Sequence, residues 1–137
     1  MPPNPPDKIR CSVKSDLDIV LCRQKGREMA VQMGFPYSDG ALIATAISEL
    51  ARNIVSYAMA GEVDISPVEV NGRTGIQVVA RGQGPGIRNI DLAMQDGYST
   101  SGGLGLGLPG VRRLMDTFEL ESKEGKGTTI TTIKWRR

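Results

Sequence analysis

The chain has 137 residues, enough for one folded core but not two, and 39% of them are apolar, a composition that folds rather than stays disordered. Its net charge of +2 is small, and its basic residues gather only at Lys134, Arg136 and Arg137, which reads as a solvated chain end and not as a nucleic-acid surface. Histidine is absent, which excludes serine–histidine–aspartate hydrolysis, cysteine–histidine proteolysis and histidine-ligated zinc, and leaves a carboxylate as any general base.

No apolar run approaches the roughly 18 residues that a membrane-spanning helix needs, and no signal peptide opens the chain, so a cytoplasmic protein with no membrane partner is expected. Cys11 and Cys22 are too few for a disulfide framework or a metal cluster and read as reduced thiols. Residues 1–7 carry four prolines and form an irregular tail, leaving residues 8–137 as a single domain.

Residues 8–13 place Ile9, Cys11 and Val13 on one side, the alternation of a strand. Asp16 caps a predicted helix through Ile19, Val20, Arg23, Arg27 and Ala30 to Met33, stopped by Gly34 and Pro36. Ser38 and Asp39 open a longer helix to about Met59, with Leu42, Ile43, Ala46, Ile47, Leu50, Ile54 and Ala58 at helical spacing. Residues 63–70 and 75–80 alternate with period two around Asn71-Gly72, the signature of a hairpin. A short helix is expected at 89–95 and a better one at 109–116, with proline in its first turn. Residues 118–122 and 128–135 read as two last strands, turned by Glu124-Gly125-Lys126-Gly127. The order predicts an α+β protein, a two-layer α/β sandwich whose largely antiparallel sheet carries its helices on one face.

Nine of the 17 glycines fall between Gly82 and Gly110, all but Gly97 in the groups GQGPG and GGLGLGLPG. Glycine lets backbone N–H groups approach an anion closely, and the second group runs into a helix whose N-terminus favours phosphate. Gly105, Gly107 and Gly110 satisfy G-x-G-x-x-G, but no βαβ unit surrounds them; the Walker lysine motif and the eukaryotic kinase motifs are missing. On the long helix Glu49 and Asn53 stand four residues apart, on one face. A carboxylate able to take a hydroxyl proton, beside a carboxamide oxygen able to ligate Mg²⁺, is a sound pair for phosphoryl transfer.

The ordered set SELARN (48–53), GQGPGI (82–87), GGLGLGL (102–108) and GKGTT (125–129) resembles the N-box and three glycine boxes of the GHKL ATPase/kinase superfamily, over nearly the whole chain. Within it, DGYSTSGGLGLGLPGVRRLMD at 96–116 resembles the RsbT-like switch serine/threonine kinases of the anti-sigma regulatory group. The resemblance implies a GHKL (Bergerat) fold, ATP and Mg²⁺ as cofactors, Glu49 as general base and Asn53 as Mg²⁺ ligand. It places Gly82, Gly84 and Gly86 with Thr128 on the adenine side, and Gly103, Leu104, Gly105, Leu106, Gly107 and Leu108 in a lid over the phosphates. It implies STAS-domain substrates in a stressosome-like scaffold, and a PP2C-type phosphatase as second partner. The family's first glycine box begins with an aspartate that accepts a hydrogen bond from adenine; this chain has Gly82 there, and Arg81 offers no acceptor. Losing a charge-assisted hydrogen bond costs roughly 1.5–3 kcal/mol. Two readings therefore stand: an active kinase, and a catalytically weak partner-docking switch.

Overall fold

Asn71 and Gly72 turn the longest hairpin with positive φ at both positions, 52° and 78°, the backbone that a two-residue hairpin loop needs to match strand twist. In the computed structural model, residues 5–58, 60–83, 107–123 and 127–137 are described. The hairpin strands are β2 (Ala60–Val70) and β3 (Arg73–Gln83). Before them come β1 (Ile9–Val13), α1 (Asp16–Gln32) and α2 (Tyr37–Tyr57), and after them α3 (Gly107–Leu114), β4 (Thr117–Lys123) and β5 (Gly127–Trp135). The sheet order is β1-β2-β3-β5-β4, and every pairing among the described residues is antiparallel.

Pairing of β1 with β2 ends at Ile9 opposite Ile65, so Pro67, which has no N–H to donate, sits where that side of β2 has no partner strand among the described residues. Val63 and Ile65 of β2, Ile76, Val78 and Ala80 of β3, and Ile130 of β5 point to one side and join Ile43, Ile47, Leu50 and Ile54 of α2 in the core. The helices cover this face. Gly26 lets α1 approach closely, since a Cβ there would fall on Ile47 Cδ1.

Several expectations shift in detail. Ser15, not Asp16, is the N-cap of α1, and neither caps by its side chain; Asp18 instead accepts the Lys14 N–H at 2.9 Å. The apolar residues of α1 divide: Ile19, Cys22 and Met29 are buried, while Leu17, Val20, Leu21 and Val31 are exposed. The 109–116 helix begins two residues earlier, at Gly107. The expected 89–95 helix lies outside the described residues. Of the C-terminal basic residues Arg136 and Arg137 are exposed, as expected of a solvated end, but Lys134 is buried and its Nζ donates to Leu114 O at 2.9 Å. Arg136 bonds Met33 O at 3.1 Å, and Arg137 pairs with Asp116 at 2.9 Å.

Candidate functional site

Glu49 and Asn53 occupy successive turns in the second half of α2. The Glu49 side chain is 4% exposed, and its Oε1 accepts a hydrogen bond from Arg52 Nη1 at 3.2 Å. The bond satisfies a carboxylate oxygen that burial has taken from water. Asn53 is half-buried. Ser48 commits its hydroxyl to the helix itself, donating to Ala44 O at 3.0 Å. Arg52 had no distinct role in the motif reading, although its i,i+3 spacing from Glu49 is a signal for an intrahelical pair.

β3 runs further than its alternation predicts and takes Gly82 into the sheet, opposite Gly61 on β2 and Thr128 on β5. Gly82 faces the helices. A Cβ built on it would lie 3.2 Å from Ala58 Cβ and 3.8 Å from Ile54 Cγ1, so the end of β3 runs under the last turn of α2. Arg81 points to the opposite face, where Asp64 accepts from it at 2.6 Å and from Arg10 at 3.1 Å. This placement keeps Arg81 away from the Gly82 side.

Gly127 starts β5 with φ of 90°, and a Cβ on it would fall on the carbonyl oxygen of Gly82. The third glycine box thus presses its backbone on the first. Its Thr128 Oγ1 lies 3.0 Å from Ser122 Oγ on β4, a hydroxyl pair that only the β4–β5 register brings together. Ser122 was missed by the sequence reading, because no local spacing marks a cross-strand neighbour.

α3 packs on α2, with Leu108 and Val111 in the core. The lid assignment at Gly107 and Leu108 therefore lies in the first turn of a helix, with the Leu108 side chain turned inward. Gly84, Gly86, Gly103, Leu104, Gly105 and Leu106 lie outside the described residues. The structure thus brings Gly82 and Thr128 side by side in the sheet beneath Ile54 and Ala58 of α2, the helix that also carries Glu49 and Asn53 and on which α3 packs.

Comparison with known proteins agrees with this fold. Residues 38–137 match the model of the histidine kinase-, DNA gyrase B- and HSP90-like ATPase family. The chain is 54% identical over 125 residues to the serine/threonine-protein kinase RsbT of Bacillus subtilis (strain 168), covering 91% of this chain and 94% of that protein. It is 33% identical over 97 residues to the anti-sigma F factor of Clostridium kluyveri, covering 67% and 68%. The solved mycobacterial sensor histidine kinase MprB superposes with a TM-score of 0.55 at 15% identity, over 96% of this chain and 97% of that one, which speaks for the fold. No helix among the described residues is long and apolar enough to cross a membrane. An ATP-binding fold with these relatives has one description: the chain belongs to the histidine kinase-, DNA gyrase B- and HSP90-like ATPase family and, within it, to the RsbT-like serine/threonine protein kinases.

Proposed function

We propose that this kinase transfers the γ-phosphoryl group of Mg-ATP to a serine or threonine of a STAS-domain regulator, as the cytoplasmic switch of a bacterial stress-signalling scaffold, and that it then engages a PP2C-type phosphatase. The observation that carries this reading is the Glu49 carboxylate, buried and held by Arg52 one turn from Asn53. The donor chemistry fits the cofactor: Asn53 offers one hard oxygen, which suits a Mg²⁺ ion that takes its other ligands from phosphates and water. Bound Mg-ATP supplies the phosphoryl group and a metal that offsets its charge.

Glu49 takes the proton of the acceptor hydroxyl through the oxygen that Arg52 does not hold. The acceptor oxygen bonds to the γ-phosphorus as the bond to the β-phosphate oxygen breaks, and ADP leaves. Arg52 fixes the direction of the carboxylate. Backbone N–H groups at the start of α3 would hold the phosphates, since a helix N-terminus stabilises negative charge.

Labelled ATP, Mg²⁺ and a STAS-domain protein test this directly. The partner becomes labelled on serine or threonine with the native chain and not with Glu49→Ala; full labelling by Glu49→Ala rejects the assignment. Gly82 favours a second reading, in which nucleotide binding is weak and docking of the scaffold or phosphatase is the main activity. Partner binding that persists without any labelling selects that reading.

A further inference from the structure

One residue from each strand makes a row across the sheet: Val13, Gly61, Gly82, Thr128 and Ser122. The row faces the helices, because a Cβ on Gly61 or Gly82 would meet Ile54, and Thr128 stands two residues before Ile130 of the core. None of its members is charged, and its polar side chains are the two hydroxyls of Thr128 and Ser122. Arg81, next to Gly82 in the chain, is held on the opposite face by Asp64. Resting on the kinase reading above, we infer that this site takes either purine base, so that Mg-GTP serves as phosphoryl donor as Mg-ATP does.

Residues opposite each other on adjacent strands hold their Cβ positions about 5 Å apart, so the Thr128 hydroxyl borders the space that a side chain at 82 would fill. Thr128 Oγ1 and Ser122 Oγ lie 3.0 Å apart, and either can donate to the other. With Ser122 donating, the Thr128 O–H turns to a ligand as donor. With Thr128 donating, its own lone pairs remain as acceptors. A carboxylate at 82 would be an acceptor alone, matched to the 6-amino group of adenine and repelling the 6-oxo group of guanine. The hydroxyl pair carries no such fixed polarity: Thr128 accepts from the adenine amino group or donates to the guanine oxygen. The transfer itself is unchanged. The acceptor oxygen bonds to the γ-phosphorus of GTP, the bond to the β-phosphate oxygen breaks, Glu49 takes the hydroxyl proton, and GDP leaves.

Calorimetric titration of the full chain with Mg-ATP and with Mg-GTP tests this. The two dissociation constants should agree within about fivefold, since one hydroxyl meets both bases. γ-Labelled GTP should label a STAS-domain protein wherever γ-labelled ATP does. Gly82→Asp should raise the ratio of ATP to GTP affinity by roughly tenfold or more, because the carboxylate gains a hydrogen bond to adenine and repels guanine. Thr128→Val should weaken both nucleotides by roughly 2- to 12-fold, the worth of one hydrogen bond. A native preference for ATP beyond about fivefold, or an unchanged ratio in Gly82→Asp, overturns the relaxed choice of base and leaves the kinase reading intact. No binding of either nucleotide at millimolar concentration rejects the kinase reading, and the choice of base with it. The native-chain ratio decides even if a variant fails to fold.

Discussion

Arg52 Nη1 donates to Glu49 Oε1 at 3.2 Å across one turn of α2, and this bond gives a buried carboxylate its direction. Glu49→Ala should lower phosphoryl transfer by about 10²–10⁴-fold, the range for a positioned general base, while nucleotide affinity measured by calorimetry stays near native. Arg52→Ala leaves the carboxylate without its partner and should cost about 1–3 kcal/mol in a denaturant titration. Transfer by that variant should fall by less than with Glu49→Ala. Asn53→Ala should weaken nucleotide binding only when Mg²⁺ is present.

At Gly82 the absent carboxylate can be restored. Gly82→Asp should tighten ATP binding by roughly 10- to 150-fold, the value of a charge-assisted hydrogen bond, less the cost of crowding Ala58. That crowding is real, because the new Cβ lies 3.2 Å from Ala58 Cβ. Ala58 stands at the C-cap with extended backbone, φ −130° and ψ 158°, so Ala58→Gly relieves the contact outside the helix. The double variant should therefore bind ATP at least as tightly as Gly82→Asp alone. Unchanged affinity in both variants rejects position 82 as part of the base site.

Gly127 is required by its backbone. Its φ of 90° and its approach to the Gly82 carbonyl leave no place for a side chain. Gly127→Ala should destabilise the fold by about 1–3 kcal/mol, the cost of forcing a non-glycine residue into such a conformation. The same change displaces Gly82 and Thr128, so a chemical-denaturation midpoint and a nucleotide-binding isotherm should fall together.

Asp64 sets the acid limb of stability. Burial pushes its carboxyl up, but hydrogen bonds from Arg81, Arg10 and Lys8 outweigh burial, and the folded-state value lies below the usual carboxylate range. A depressed carboxylate contributes stability that is fully present above the unfolded value of about 3.9 and is lost as pH falls through the folded one. The Asp64 side chain is 2% exposed, but Lys8, Arg10 and Arg81 are 45–61% exposed. Asp64→Asn should therefore cost about 1–3 kcal/mol near neutral pH, less than the roughly 3–5 kcal/mol of a fully buried pair. Thermal midpoints recorded from neutral to strongly acidic pH should show a shallower acid loss in the variant. An unchanged acid limb rejects the assignment to Asp64; Asp116, also held low, supplies the remaining slope.

Much of this architecture is legible locally. Asn71-Gly72 marks its hairpin because few residue pairs accept positive φ twice in succession. The apolar spacing of α2 marks the central helix, and the four boxes, in order, mark the family. Lys134 misleads, since its burial and its bond to Leu114 O join positions far apart in the chain.

By itself the sequence determines most of the described elements, the glycine boxes and the four-residue spacing of Glu49 and Asn53 on α2, because strand period, helix period and turn chemistry act over a few residues. It also places Gly82 at the head of the first box. The tertiary structure alone decides that Gly82 lies inside a strand under Ala58 and Ile54, that Arg81 turns away to Asp64, and that Thr128 meets Ser122. Those relations depend on cross-strand register and on the face each strand gives the helices, and in a sheet one residue of register moves every side chain to the other face.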